Sequence, residues 1–257
     1  MLGAFEFPPL GHLFEWPDIA FEDTPFAINK VVLCIFASSV LVVSFFTIAA
    51  SRSRQGSHVP KGIQNLAEAG LEVVEKNISL EVMGPHGRHF TPFLAALFYW
   101  ILFMNVFGLL PVIQLPAASR MALPGFLALM VYALMWFYGF KAQGPRYITN
   151  SIFPPGVPKF LYLLVTPIEF VSKFLVRPFS HAVRLFANLM AGHILLTTFA
   201  LLTAALWIGK WNAIFLPLPF AMGVAMTAFE VLVAALQAYI FTILAAVYLN
   251  ESLHPDH

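Results

Sequence analysis

The run VVLCIFASSVLVVSFFTIAA, residues 31 to 50, carries no formal charge over about the length a helix needs to cross the hydrocarbon core of a bilayer. Similar runs recur at about 90–112 and 122–140, and two much longer ones cover about 159–208 and 212–250. The pattern predicts an all-α membrane protein of about five membrane helices. The composition agrees: 60% of the 257 residues are hydrophobic, only 11% are charged, and the mean hydropathy is +0.80. Soluble domains carry roughly 25% charged residues. A net charge of +1 points to no nucleic-acid partner, and one cysteine, Cys34, rules out a disulfide framework or a cysteine metal site.

Charge asymmetry gives the expected orientation. Ahead of the first run stand Glu6, Glu15, Asp18, Glu22 and Asp23, and no basic residue precedes Lys30. After it come Arg52, Arg54 and Lys61. Basic residues stay on the inner side, so the N-terminal segment is expected outside, with the first helix retained as an anchor because no basic n-region of a signal peptide precedes it. The loop KAQGPRYITNSIFPPGVPK, with Lys141, Arg146 and Lys159, is again inner, and an odd number of spans leaves NESLHPDH inside. Residues 60 to 83 mix charge with apolar residues at helical spacing (Ile63, Leu66, Leu71, Val74, Ile78), which reads as an amphipathic helix on the inner surface. The expected organisation is a single membrane domain over 1–257. Within it, 1–29 is an outer segment, 30–58 the first membrane helix and inner loop, and 59–88 the surface helix and loop. Residues 89–158 hold the second and third membrane helices, and 159–257 a long helical hairpin. The two hairpin segments exceed one upright crossing, so they must tilt, bend or break, with Pro167 and Pro178 as bends in the first.

Between Arg177 and Glu251 the only formal charges are Arg184, Lys210 and Glu230. Lys210 falls in the outer turn near GKWN. Arg184 and Glu230 lie well inside long segments, where an arginine costs about 2.5–3.5 kcal/mol even on a lenient insertion scale. Outward from Arg184 come Asn188 at i+4 and His193 at i+9, about 13.5 Å along the helix. On the returning segment Glu230 precedes Gln237 by seven residues, about 10.5 Å on the same face. Antiparallel pairing then sets Arg184 level with Gln237 and His193 level with Glu230. One layer is a fixed positive charge beside an amide; the other holds two groups able to pass protons. Arginine cannot pass protons, but it attracts a carboxylate and repels cations. Taken singly, His193, Asn188 or Gln237 also fits a plain helix–helix hydrogen bond, and Arg184 with Glu230 a buried ion pair, which the offset register disfavours. Glu169, Lys173 and Arg177 stand at i, i+4 and i+8. They form either a salt-bridged helix end or an inner aqueous entrance holding a carboxylate. HGRH (His86, His89) and HPDH (His254, His257) are expected to be solvated. No P-loop, dinucleotide fingerprint or protease motif occurs.

The elements RLFANLMAGH, FEVLVAALQAYIFTILAAVYL and FMNVFGLLP closely resemble subunit a of F-type ATP synthases, and the resemblance covers most of residues 30–250. It implies that Arg184 is the family's essential arginine facing the carboxylate of the rotating c ring, with Asn188 and Gln237 as polar residues near it. His193 and Glu230 match the titratable pair of the outer half-channel, in the His-then-Glu order that resembles the mitochondrial type and some bacteria. Glu169 matches, to within one residue, an acidic residue of the inner half-channel. Where some members have an aspartate after the Met-Asn element, this chain has Gly108. The implied role is a non-catalytic, proton-conducting stator subunit, without cofactor or metal. Its implied partners are the c-subunit ring, the b subunits of the peripheral stalk, membrane lipid and, indirectly, the soluble catalytic head. The implied site is the bacterial plasma membrane, with the mitochondrial inner membrane as the alternative. A secondary transporter is disfavoured because no inverted repeat is visible. A scaffold with incidental buried pairs predicts that Arg184→Gln leaves turnover intact. Na⁺ in place of H⁺ is disfavoured by the His–Glu pair.

Overall fold

The computed structural model describes residues 30–54, 62–109, 121–153, 159–208 and 213–253. Every regular element among them is helical. The first membrane helix, α1 (Lys30–Arg54), packs on the surface helix α2 (Ile63–Val74) and on the second membrane helix, α4 (Thr91–Leu109). A widened π segment, Glu75–Leu80, and the short α3 (Glu81–Met83) continue α2. A 3₁₀ turn at Gly84–His89 then leads into α4 (Thr91–Leu109). Next come α5 (Ala122–Gln143), the short α6 (Arg146–Ile152) and α7 (Tyr162–Val171). The hairpin proper is α8 (Arg177–Ile208) and α9 (Pro217–Leu253). The acidic N-terminal segment, the outer loop before Met121, the turn GKWN with Lys210 and the tail HPDH lie outside the described residues.

Among the described residues, five stretches are long and apolar enough to cross a membrane: Val31–Ile48, Thr91–Leu109, Ala122–Gln143, Tyr162–Trp207 and Pro217–Leu253. The last has 37 residues, about 55 Å of helix, against a hydrocarbon core of about 30 Å. Neither half of the hairpin can stand upright within that thickness. α9 is the central element, packed on α4, α5 and α8. Its inward face is made small where neighbours approach: Ala234, Ala238, Ala245 and Ala246 are all buried, with Phe241 and Leu249 filling the gaps against Leu94, Ile101 and Met104 of α4. Lipid tails are as apolar as these side chains, so close packing rather than water exclusion holds such helices together.

The surface helix is amphipathic as expected, with a corrected face. Gln64, Ala67, Val74 and Ile78 are buried and Leu71 half-buried, whereas Leu66 is 66% exposed. Gly70 sits where a Cβ would collide with the Tyr99 hydroxyl of α4, so only glycine lets α2 lie this close. Glu72 pairs with Lys76, and Glu75 with Arg88 at 2.8 Å. The lysine ammonium beside Glu72 holds that carboxyl below its ordinary value. His86 and His89 are exposed.

The first hairpin segment is broken between the two expected proline bends. Pro167 lies inside α7, and residues Ser172–Val176 widen into a π turn before α8. Pro178 supplies the reason. It has no N–H for the Phe174 carbonyl four residues back, and its ring crowds that carbonyl. Opening the turn at Phe174 relieves both faults.

Candidate functional site

Two charged groups of the hairpin lie at membrane depth in opposite settings. α8 buries one face, through Ala182, Leu185 and Leu189, against its neighbours. The other face, with Arg184, Asn188, Ala191 and Leu195, is exposed. Arg184 therefore points away from the body of the chain. Among the described residues no carboxylate pairs with it, so a buried Arg184–Glu230 ion pair is not what holds the hairpin together.

Asn188 turns back toward α9, and its Nδ2 donates to Gln237 Oε1 at 2.7 Å. Gln237 is 2% exposed, and its own Nε2 has no partner among the described residues. The register differs slightly from expectation: Gln237 meets Asn188, one turn outward of Arg184, rather than Arg184 itself. A third polar group shares this layer. Asn105 of α4 is 1% exposed and donates from Nδ2 to the Ala234 carbonyl at 3.3 Å, one turn from Gln237 on α9. Sequence reasoning passed over Asn105, although an asparagine in the otherwise apolar run FMNVFGLLP was a visible signal.

Further outward, the Glu230 side chain reaches across to α8 and lies against Gly192, where a Cβ would overlap the carboxylate. Glu230 is thus level with Gly192, and so with the adjacent His193, as the antiparallel register required. Both are half-buried. His193 also lines a cavity of about 800 Å³ at the end of the hairpin where α8 finishes and α9 begins, together with Gly108, Thr197, Trp207, Phe220 and Thr227. Gly108 thus takes its place in the wall of that cavity.

At the opposite end, where α8 begins and α9 finishes, the expected stripe becomes a network. Lys173 Nζ lies 3.3 Å from Glu169 Oε2 and 3.5 Å from Glu251 Oε1. Glu251 also pairs with Arg177, whose guanidinium stands 5.6 Å from the Tyr248 ring centroid. The Tyr132 hydroxyl of α5 donates to the Lys173 carbonyl. Glu251 joins the last turn of α9 to the start of α8, and the sequence alone gave it no role beyond membership of the C-terminal segment NESLHPDH. Its signal was the spacing: Glu230, Gln237 and Glu251 are seven and fourteen residues apart, close to one face of α9.

The arrangement has a cavity at one end of the hairpin lined by His193, with Glu230 in the adjacent layer, a central exposed arginine and a cluster of four charges at the other end. Residues 32–250 match the family described as ATP synthase A chain. The ATP synthase subunit a of Rhodococcus erythropolis is 39% identical over 99% of this chain and 94% of its own length. That of Methylobacterium sp. is 40% identical over 90% and 89%, and that of Hyphomonas neptunium 39% over 95% and 96%. The similarity runs through nearly the whole of each chain and the family match reaches into all five membrane spans, so this integral membrane protein belongs to the ATP synthase A chain family.

Proposed function

We propose that the chain is the stationary proton-conducting subunit of an F-type ATP synthase membrane sector, carrying two offset half-channels to a rotating c ring. The observation that carries this reading is Arg184, exposed on the chain's own surface within a membrane span and paired with no carboxylate among the described residues. A guanidinium cannot be left facing hydrocarbon without a large cost. An acidic group on a neighbouring subunit relieves that cost, and a c-ring carboxylate that visits and leaves does so once per step. The exposed stripe of Asn188, Ala191 and Leu195 beside Arg184 supplies an otherwise uncharged face for that ring to slide along.

Protons enter from the outer cavity, reach His193 and Glu230, and neutralise a c-ring carboxylate. Neutralised, that site can turn into lipid. After most of a revolution it returns near the inner cluster around Glu169 and Glu251 and loses its proton there. Arg184 separates the two routes. Its charge favours the ionised carboxylate and repels a proton attempting direct passage. Asn188 and Gln237 hold the α8–α9 spacing at the arginine. The chain forms no covalent bond itself; ATP is made in the soluble head that rotation drives. The N-terminal side faces outward, the C-terminal end inward, and b subunits of the peripheral stalk keep the chain from turning with the ring.

The test is Arg184→Ala in membrane vesicles holding the whole complex. ATP-driven acidification should be lost, while passive proton leak through vesicles stripped of the soluble head stays equal or rises. Near-normal pumping would make the arginine structural and the reading would fall.

A further inference from the structure

His181 is used by none of the steps above, yet it occupies the gap between the central arginine and the inner cluster. It lies on α8 three residues inward of Arg184 and four outward of Arg177. It is 3% exposed, and neither ring nitrogen has a hydrogen-bond partner among the described residues. Its ring centroid is 3.8 Å from that of Phe241 and 5.7 Å from that of Tyr248, both on α9. Burying an imidazole with both nitrogens unpartnered is unfavourable. A leucine or phenylalanine would fill the same space against Phe241 without that penalty, so packing does not account for a histidine here.

The surrounding chemistry indicates what does. Opposite His181, the α9 residues between Gln237 and Tyr248 include Ala238, Phe241, Ala245 and Ala246, all buried, and the Thr242 hydroxyl is spent on the Ala238 carbonyl at 2.8 Å. Arg184 and Arg177 are seven residues apart, about 10.5 Å along the helix, or more than three hydrogen-bond lengths. A proton released beside Arg184 has to cross that layer to reach the carboxylates of Glu251 and Glu169. Polar side chains on this half of the hairpin recur at three- and four-residue steps: Asn188, Arg184, His181, Arg177, then Lys173 and Glu169. His181 is the member of the middle layer that can both accept and release a proton.

We propose that His181 is a proton relay on the inner side of the Arg184 barrier. The inference rests on the reading of Arg184 given above. A water beside the c-ring site gives a proton to the unprotonated ring nitrogen as it takes the proton of the c-ring carboxyl: N–H forms, one O–H of the water breaks and another is made, and the carboxylate is left ionised. The N–H bond at the other nitrogen then breaks, its electron pair staying on nitrogen, and that proton passes through water to Glu251 or Glu169. The ring is neutral again as the other tautomer, and passage of its remaining ring proton to the second nitrogen by way of water restores the starting tautomer. The face of Phe241 attracts the transient positive charge. The charges of Arg184 and Arg177 repel it, so the ring takes a proton without keeping it. The other titratable group facing His181 from α9 is Tyr248, and the Tyr132 hydroxyl of α5 is engaged further along, donating to the Lys173 carbonyl.

The experiment compares His181→Phe, which keeps an aromatic ring, and His181→Gln, which keeps hydrogen bonding, with Arg184→Ala in vesicles holding the complete complex. Initial rates of ATP-driven acidification are followed from acid to alkaline pH, with the amount of subunit in the membrane measured alongside. A relay predicts that both His181 variants assemble, pump at least about tenfold more slowly, as expected on losing a positioned acid–base group, and lose an inflection on the acid side of neutrality in the pH–rate profile. Wild-type rates in His181→Phe would overturn the proposal. So would normal rates in His181→Gln alone, which would reduce the role to hydrogen bonding, or absence of both variants from the membrane, which would make it structural. Normal pumping by Arg184→Ala would sink the parent reading whatever the histidine variants do.

Discussion

At the scale of single residues, the hairpin depends on side chains whose neighbours leave no slack. Gly192 faces the Glu230 carboxylate so closely that a Cβ would overlap it. Gly192→Ala should therefore move Glu230 out of its layer and lower ATP-driven acidification by about tenfold or more, with the subunit still present in the membrane. Equal rates would show that Glu230 can work from another position. Asn188 and Gln237 share one hydrogen bond, and Gln237 is buried. Asn188→Ala leaves the Gln237 oxygen without its donor, at a cost of about 1–3 kcal/mol. Thermal unfolding of the solubilised subunit should shift down, and Asn188→Ala with Gln237→Leu should recover part of the loss because neither polar group is then stranded. Arg184, Asn188, His193, Glu230 and Gln237 were legible in the sequence because polar residues are conspicuous in apolar runs. Glu251 was not, since its meaning depends on Lys173 and Arg177, more than seventy residues away in the chain.

At the scale of elements, a proline sets the geometry of the charged cluster where α7 meets α8. The π turn Ser172–Val176 sits where Pro178 denies the Phe174 carbonyl its donor. It shifts Glu169 and Lys173 around the axis relative to α8, and so decides which charges meet Glu251. Pro178→Ala should let the segment tighten into α-helix and recover up to about 3 kcal/mol of local stability. Amide hydrogen exchange around residues 172–176 would then slow, while pumping falls because Lys173 loses its place beside Glu251. Unchanged exchange would mean that packing on α5, where Phe174 meets Trp136 at 5.0 Å, holds the turn open instead. The sequence carried both prolines but could not locate the irregularity between them.

At the scale of the whole molecule, α8 has one face built into the chain and one left for a partner. Leu195 is 42% exposed and lies eleven residues, nearly three whole turns, beyond Arg184. Leu195→Cys should form a disulfide with a cysteine on the facing helix of a c subunit, whereas Leu189→Cys, on the buried face, should not. The one native cysteine, Cys34, is buried, so background coupling is low. Cross-linking at position 189 alone would turn the c-ring face to the opposite side of the hairpin.

Hydrophobic length and charge placement alone determined that the chain is helical, lies in a membrane and ends in an oversized hairpin, because backbone hydrogen bonding and charge burial in lipid leave few choices. The spacing of Glu230 and Gln237 on one side, and of Asn188 and His193 on the other, also determined which layers could meet. Only the tertiary structure decided which face of α8 turns outward, that Gln237 bonds Asn188 rather than meeting Arg184, and that Glu251 closes the inner cluster. Those outcomes depend on how α4, α5 and α9 compete for the same helix faces. That competition is between residues far apart in the chain, and no local spacing records it.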